Sequence, residues 1–133
     1  MANLQTLANL TAKDLQKAIR MECSDDRGRC QCVTCGVVQS YKVMHAGHFV
    51  GGRTMGVLFD ERNIHPQCAS CNVALGGNPE KYEWFMLMRY GQEVIDELRR
   101  RRREIVTITR EELAEMRAKY KRRIKTQEVR LGG

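Results

Sequence analysis

Cys32-Val33-Thr34-Cys35-Gly36 and Cys68-Ala69-Ser70-Cys71-Asn72 are two C-x-x-C pairs separated by 32 residues. A two-residue gap lets both thiolates of a tight turn face one ion, and two such pairs complete the tetrahedral sulfur set of a structural zinc site. Cys32, Cys35, Cys68 and Cys71 are therefore the expected ligands of a structural Zn²⁺. Gly36, directly after Cys35, supports this register over the one Cys30-Gln31-Cys32 would offer, which leaves Cys23 and Cys30 as spare thiols. The intervening residues suffice for a hairpin and a loop. Such a staple suits a chain of 133 residues that is 42% hydrophobic but only 6% aromatic, because large apolar anchors for a small core are scarce.

Outward from the cysteines, the chain carries no apolar run of bilayer-spanning length, and its first twenty residues lack the pattern of an export signal. Paired cysteines in that setting suit metal binding in a reducing compartment, so a soluble cytoplasmic protein without a membrane partner is expected. The net charge of +7 is unevenly spread: residues 1–98 hold 10 Lys and Arg against 11 Asp and Glu, whereas residues 99–125 hold 12 against 4. One-sided positive charge favours a polyanion. Arg99, Arg100, Arg101, Arg102, Arg103, Lys119, Lys121, Arg122, Arg123 and Lys125 are the candidate contacts to DNA phosphates, which carry affinity but no sequence information.

The local signals predict helix over 11–22 from Thr11 and the spacing of Leu15, Ala18 and Ile19, then a polar turn over 24–29. Residues 37–50, rich in Val, Tyr and Phe, read as two short strands around a turn, and 51–56 (GGRTMG) as a mobile loop over a site. Asn72 can start a short helix that Gly76-Gly77 ends. Asn78 as cap and Pro79 at the first position open a helix over 79–90, another follows over 92–103, and Thr109-Arg110-Glu111-Glu112 is a capping box before a last amphipathic helix. The apolar stripe of that helix, Leu113, Met116, Tyr120 and Ile124, is available either for packing on its own domain or for pairing two copies into a homodimer. Three segments result: an N-terminal helix and turn (1–29), a zinc-bound core (30–91) and a basic helical C-terminal extension (92–133).

All three histidines, His45, His48 and His65, fall between the two cysteine pairs. For His65 a structural role and a site role weigh equally. His48 on a strand, Asn63 in the following loop and Asn72 after the last cysteine stand in an order that resembles the His-Asn-His, or ββα-metal, nucleases. The four-cysteine version is similar to the junction-resolving endonuclease VII type. The resemblance implies an α+β fold with a small zinc-stapled, treble-clef-like ββα core, flanking helices and the basic extension.

A closer match covers most of the chain. Cys32-Val33-Thr34-Cys35-Gly36, His45-Ala46-Gly47-His48-Phe49, Phe59 to Cys68 (FDERNIHPQC), Cys71-Asn72, Gly77-Asn78 and Tyr90-Gly91-Gln92-Glu93 resemble the phage lambda NinG, or Rap, recombination family. This implies a structure-selective endonuclease that hydrolyses branched DNA such as four-way junctions or displacement loops, with phage or host recombination proteins as partners. His48 would be the general base, and Asn72, with water and His45, would hold a catalytic Mg²⁺ or Mn²⁺. Asn63 would fix the loop or orient His48. Two positions depart from the patterns: His45 stands where the family has Asp, favouring softer metals such as Mn²⁺, and Gly47, before the base, has no side chain to coordinate with. Two other readings stand beside this one, a zinc-stabilised DNA-binding recombination module without catalysis and a general HNH nuclease of ordinary duplex.

Overall fold

The computed structural model describes residues 3–52 and 54–132; Arg53, inside the glycine-rich 51–56 stretch, lies outside the described residues. Helix α1 spans Leu4–Glu22, so it begins well before Thr11. The Asn3 side chain caps it by accepting from the Thr6 N–H at 2.8 Å, and the apolar spacing through Leu4, Leu7 and Ala8 extends the helical face backwards. Thr11 is buried mid-helix, its hydroxyl donating to the Leu7 carbonyl at 2.7 Å.

Strand β1 (Arg29–Gln31) pairs antiparallel with β2 (Val38–Ser40), and β3 (His45–His48) with β4 (Ile64–Gln67). The stretch 37–50 does supply two strands, yet they do not pair with each other. The first cysteine turn closes on itself, with the Cys32 N–H on the Val37 carbonyl and the Gly36 N–H on the Cys32 carbonyl, so β2 folds back onto β1. Gly36 takes φ +83°, the left-handed region open to glycine, as this turn requires. Strand β4, which no periodicity announced, then receives β3.

Register divides the β3–β4 ribbon into two faces, because paired residues point the same way and successive ones alternate. His45 pairs with Gln67 and Gly47 with His65 on one face; Ala46 pairs with Pro66 and His48 with Ile64 on the other. Helix α1 covers the second face, packing Leu15 and Ile19 against Ile64 and Ala46. Helix α5 (Arg110–Arg130) lies along α1 through Leu113, Tyr120 and Ile124. The basic C-terminal helix is one half of a helix pair, and its apolar stripe packs on α1. Its capping box forms as read from Thr109 and Glu112.

The remaining elements cover the first face and the ribbon's end. Helix α2 (Met55–Leu58) begins where a loop was expected; Glu61–Asn63 form a 3₁₀ turn and Ser70–Ala74 a single wide π-type turn. Helices α3 (Pro79–Arg89) and α4 (Gln92–Arg101) follow, sharing with Val50 and Val57 a core of Tyr82, Met86, Ile95 and Leu98. The architecture is a mixed helical and small-sheet fold. Among the described residues no helix is long and apolar enough to cross a membrane.

Candidate functional site

The β1–β2 turn and the π-type turn carry Cys32, Cys35, Cys68 and Cys71 to one point, all four sulfurs lying within 4.8 Å of one another. Cys35 and Cys68 Sγ are 3.7 Å apart. A tetrahedral zinc with Zn–S bonds of about 2.3 Å has sulfur–sulfur edges of about 3.8 Å, so the donor set fits zinc in number, type and size. Hydrogen-bond donors support the sulfurs: the Cys71 N–H donates to Cys68 Sγ at 3.4 Å and Thr34 Oγ1 lies 3.2 Å from Cys32 Sγ. Asn78, read as a helix cap, adopts a left-handed φ of 48° without capping, and its Nδ2 instead donates to Cys71 Sγ at 3.6 Å.

Burial raises the Cys32 thiol, but hydrogen bonds from the Thr34 hydroxyl and nearby N–H groups override it and bring Cys32 down to about 6. Cys35 receives the Val37 N–H, yet burial and the sulfurs of Cys32, Cys68 and Cys71 push it up to about 12. One thiolate forms readily and the next are opposed by it. A bound cation removes that opposition.

From the cysteines the order passes inward. Gln67, fully buried, donates through Nε2 to Thr34 Oγ1 at 3.2 Å and to the Gly77 carbonyl at 2.7 Å. Its Oε1 occupies the space beside Gly47, where an added Cβ would come within 2.0 Å of it. Gln67 thus explains why position 47 carries no side chain.

Asn72 and His45 meet: Asn72 Nδ2 lies 3.1 Å from His45 Nδ1, with both residues partly exposed. An amide N–H donates, so Nδ1 accepts and the His45 ring carries its proton on Nε2. His48 is not brought to this pair. It lies on the α1 face of the ribbon, half-buried, with Nε2 3.5 Å from the Leu58 carbonyl.

Asn63 is wholly buried, accepting from the Val50 N–H at 2.8 Å and donating to the Val50 carbonyl at 2.9 Å. It clamps the segment after β3 and is enclosed away from solvent. His65 is enclosed between Tyr82 Oη (3.0 Å from Nδ1) and Tyr90 Oη (2.8 Å from Nε2). Burial, then Arg89, lowers its pKa to about 4, so it is neutral near pH 7.

Residues 3–129 match the family described as Bacteriophage Lambda NinG protein. The chain belongs to the NinG family. It is 33% identical over 115 residues to Protein ninG of Escherichia phage 933W, a match covering 85% of this chain and 56% of that one. Identity to Protein ninG of Escherichia phage lambda is 32% over 115 residues (85% and 55%), and to that of Salmonella phage P22 31% over 114 (85% and 55%). The chain therefore spans little more than half the length of these relatives. No solved structure matches it.

The basic candidates divide by what they touch. Arg123 is held between Glu22 and Glu61, with N–O distances of 2.6 and 2.8 Å; Arg101 is bound to Asp60, and Arg99 to Glu83 with its guanidinium over the Phe49 ring. Arg100 makes a 3.8 Å contact with Glu104. Arg102, Arg103, Lys119, Lys121, Arg122 and Lys125 are exposed and enter no ion pair among the described residues. Arg102, Arg103 and Arg99 border a cleft of about 340 Å³ with Phe49, Gly51 and Pro79. Sequence reasoning passed over Thr34, Gln67, Tyr82 and Tyr90, because single polar residues inside a core carry no periodic signal.

Proposed function

We propose that this NinG-family chain is a metal-dependent endonuclease of the HNH type that hydrolyses phosphodiester bonds in branched DNA, such as four-way junctions and displacement loops, in the cytoplasm of the phage host. The observation that carries this is the partly exposed His45–Asn72 pair, 3.1 Å apart and one residue beyond the last cysteine of the zinc-fitting cluster. Asn72 Oδ1 and His45 Nδ1 are lone-pair donors of the kind that bind a divalent cation, and turning the Asn72 amide over would exchange the present Nδ2–Nδ1 hydrogen bond for an Oδ1 beside Nδ1. Among the described residues no cluster of three His, Cys, Asp or Glu donors occurs beyond the four cysteines. An imidazole and an amide without a carboxylate suit Mn²⁺ better than Mg²⁺.

Such an ion would polarise the scissile phosphate and offset the charge gathering on it. The chain itself would supply the base and the grip. Family resemblance makes His48 the base; contact with Asn72 makes His45 the imidazole beside the phosphate. Arg102, Arg103, Lys119, Lys121, Arg122 and Lys125 would hold flanking phosphates.

Purified protein incubated with labelled four-way junction and linear duplex, in Mg²⁺ or Mn²⁺, tests the reading. Selective cutting of the junction, stronger in Mn²⁺, is expected, and Asn72→Ala and His45→Ala should abolish it with zinc retained. Loss in His48→Ala keeps the base where the family resemblance puts it; full activity there moves the role to His45. Equal cutting of both substrates removes junction selectivity and leaves a general duplex nuclease. Binding without cutting leaves a zinc-stabilised DNA-binding module, a reading favoured by the opposite faces of His45 and His48.

A further inference from the structure

A chain of hydrogen bonds crosses the interior from α3 to the middle of β3, and nothing in the site described so far uses it. The Tyr82 hydroxyl lies 2.7 Å from the Gly47 carbonyl, Tyr82 Oη lies 3.0 Å from His65 Nδ1, and His65 Nε2 lies 2.8 Å from Tyr90 Oη. Tyr82 is 1% exposed and His65 9% exposed. One arrangement of protons satisfies every atom. A carbonyl only accepts, so Tyr82 donates to Gly47; its oxygen then accepts from Nδ1–H of His65, which leaves Nε2 to accept from Tyr90. In that arrangement the imidazole is neutral, and each member fixes the direction of the next.

The end point is informative. Gly47 lies between His45 and His48, and its own Cα is backed by Gln67, the residue tied to Thr34 beside Cys32. The peptide between the two histidines is therefore held from two sides, by the cysteine cluster through Gln67 and by α3 through Tyr82. A two-stranded ribbon lacks a wider sheet to stiffen it, so these contacts set where both imidazoles stand.

We propose that Tyr90, His65 and Tyr82 are positioning residues that fix the β3 backbone at Gly47 and thereby aim His45 and His48, an inference that rests on the nuclease reading for its catalytic consequence. Tyr82→Phe removes one hydroxyl and keeps the ring that packs on Phe49. It should lower kcat for junction cleavage by about tenfold or more, the range seen when groups supporting a site are removed, with the KM for DNA changed less than about twofold. Zinc content should stay at that of wild type. Tyr90→Phe, at the half-buried outer end, should cost less. His65→Gln, which keeps a donor and an acceptor, should recover part of what His65→Ala loses.

A second readout does not depend on cleavage: in ¹H–¹³C spectra the ring signals of His45 and His48 should both shift in Tyr82→Phe. Wild-type kcat in Tyr82→Phe, with cutting by the parent protein intact, overturns the proposal and leaves the nuclease reading standing. If the parent protein cuts nothing, the nuclease reading falls, and unmoved His45 and His48 signals in the folded Tyr82→Phe protein overturn the positioning role as well.

Discussion

On one face of the β3–β4 ribbon Ala46 and Ile64 meet Leu15, Ile19 and Tyr120; on the other His65, Gln67 and His45 meet Tyr82, Thr34 and Asn72 through hydrogen bonds. The first interface is apolar and backed by a second helix, and its strength scales with area removed from water. The second is directional, and it leans on four cysteines gathered where they could hold one metal ion. The two faces share four-residue strands and divide the work: the helix pair supplies cohesion, the cysteine side supplies position. Removing the metal is the hardest test of that division. Chelation, or Cys68→Ser, should reduce bound zinc from one per chain to near none and cost on the order of 10 kcal/mol of apparent stability. Amide signals from β1 to β4 should collapse, while α1 and α5 keep part of their helical circular dichroism. A ribbon that stays dispersed without metal would erase the contrast.

The apolar face answers to a different change. Leu15 is fully buried between α1, the ribbon and α5, so Leu15→Ala should destabilise by about 2–5 kcal/mol in denaturant titration, by lost burial and the cavity left behind. Zinc stoichiometry at low denaturant should not change. Metal lost in proportion to stability would mean that the two faces are one unit.

What the sequence made legible follows the same divide. The cysteine set could be read because metal chemistry fixes residue type and spacing together, and the α5 capping box because Thr109 and Glu112 stand three apart. Strand β4 was not legible: Ile64-His65-Pro66-Gln67 is only four residues long, carries a proline and has a single β-branched side chain, and all four residues are buried by what packs around them. The pairing of β2 with β1 was missed for a related reason, since proximity of β2 and β3 in sequence outweighed a turn closed by Gly36. Asn72 and His45 were drawn together by family pattern, but the separation of His48 from them needed the register. Alternation over three residues reverses the face, and no composition signal carries that.

Acid titration sharpens the contrast at a smaller scale. His65 has a folded pKa of about 4, below the ordinary 6.5, so between those values the unfolded chain binds the extra proton. Stability is then intact above about pH 6.5 and falls as pH drops toward 4, by about 2 kcal/mol at pH 5. Protonation of cysteine thiolates would add to the fall, so the measurement is the difference between wild type and His65→Gln. The wild type should lose more between pH 7 and 5; equal slopes would mean that His65 titrates normally and that the polar face is open to water.

The smallest effect expected concerns the arginines, which repeat the divide on the surface. Arg123 joins α5 to α1 and the 3₁₀ turn through Glu22 and Glu61, so its charge is already answered inside the molecule. Arg102 and Arg103 border the cleft beside Phe49 and Gly51 and have no acidic partner among the described residues. A phosphate displaces counterions only from a cation that is free to meet it, so the two kinds of arginine should differ in salt dependence more than in affinity at any one salt. Arg102→Gln and Arg103→Gln should each lower the slope of log K against log salt for DNA binding by about 1. Arg123→Gln should leave that slope in place and cost about 0.5–1 kcal/mol of stability, as a partly exposed ion pair does. A lower slope from Arg123→Gln would mean that α5 separates from Glu22 and Glu61 on meeting DNA, and that the helix pair is the nucleic-acid surface rather than its support.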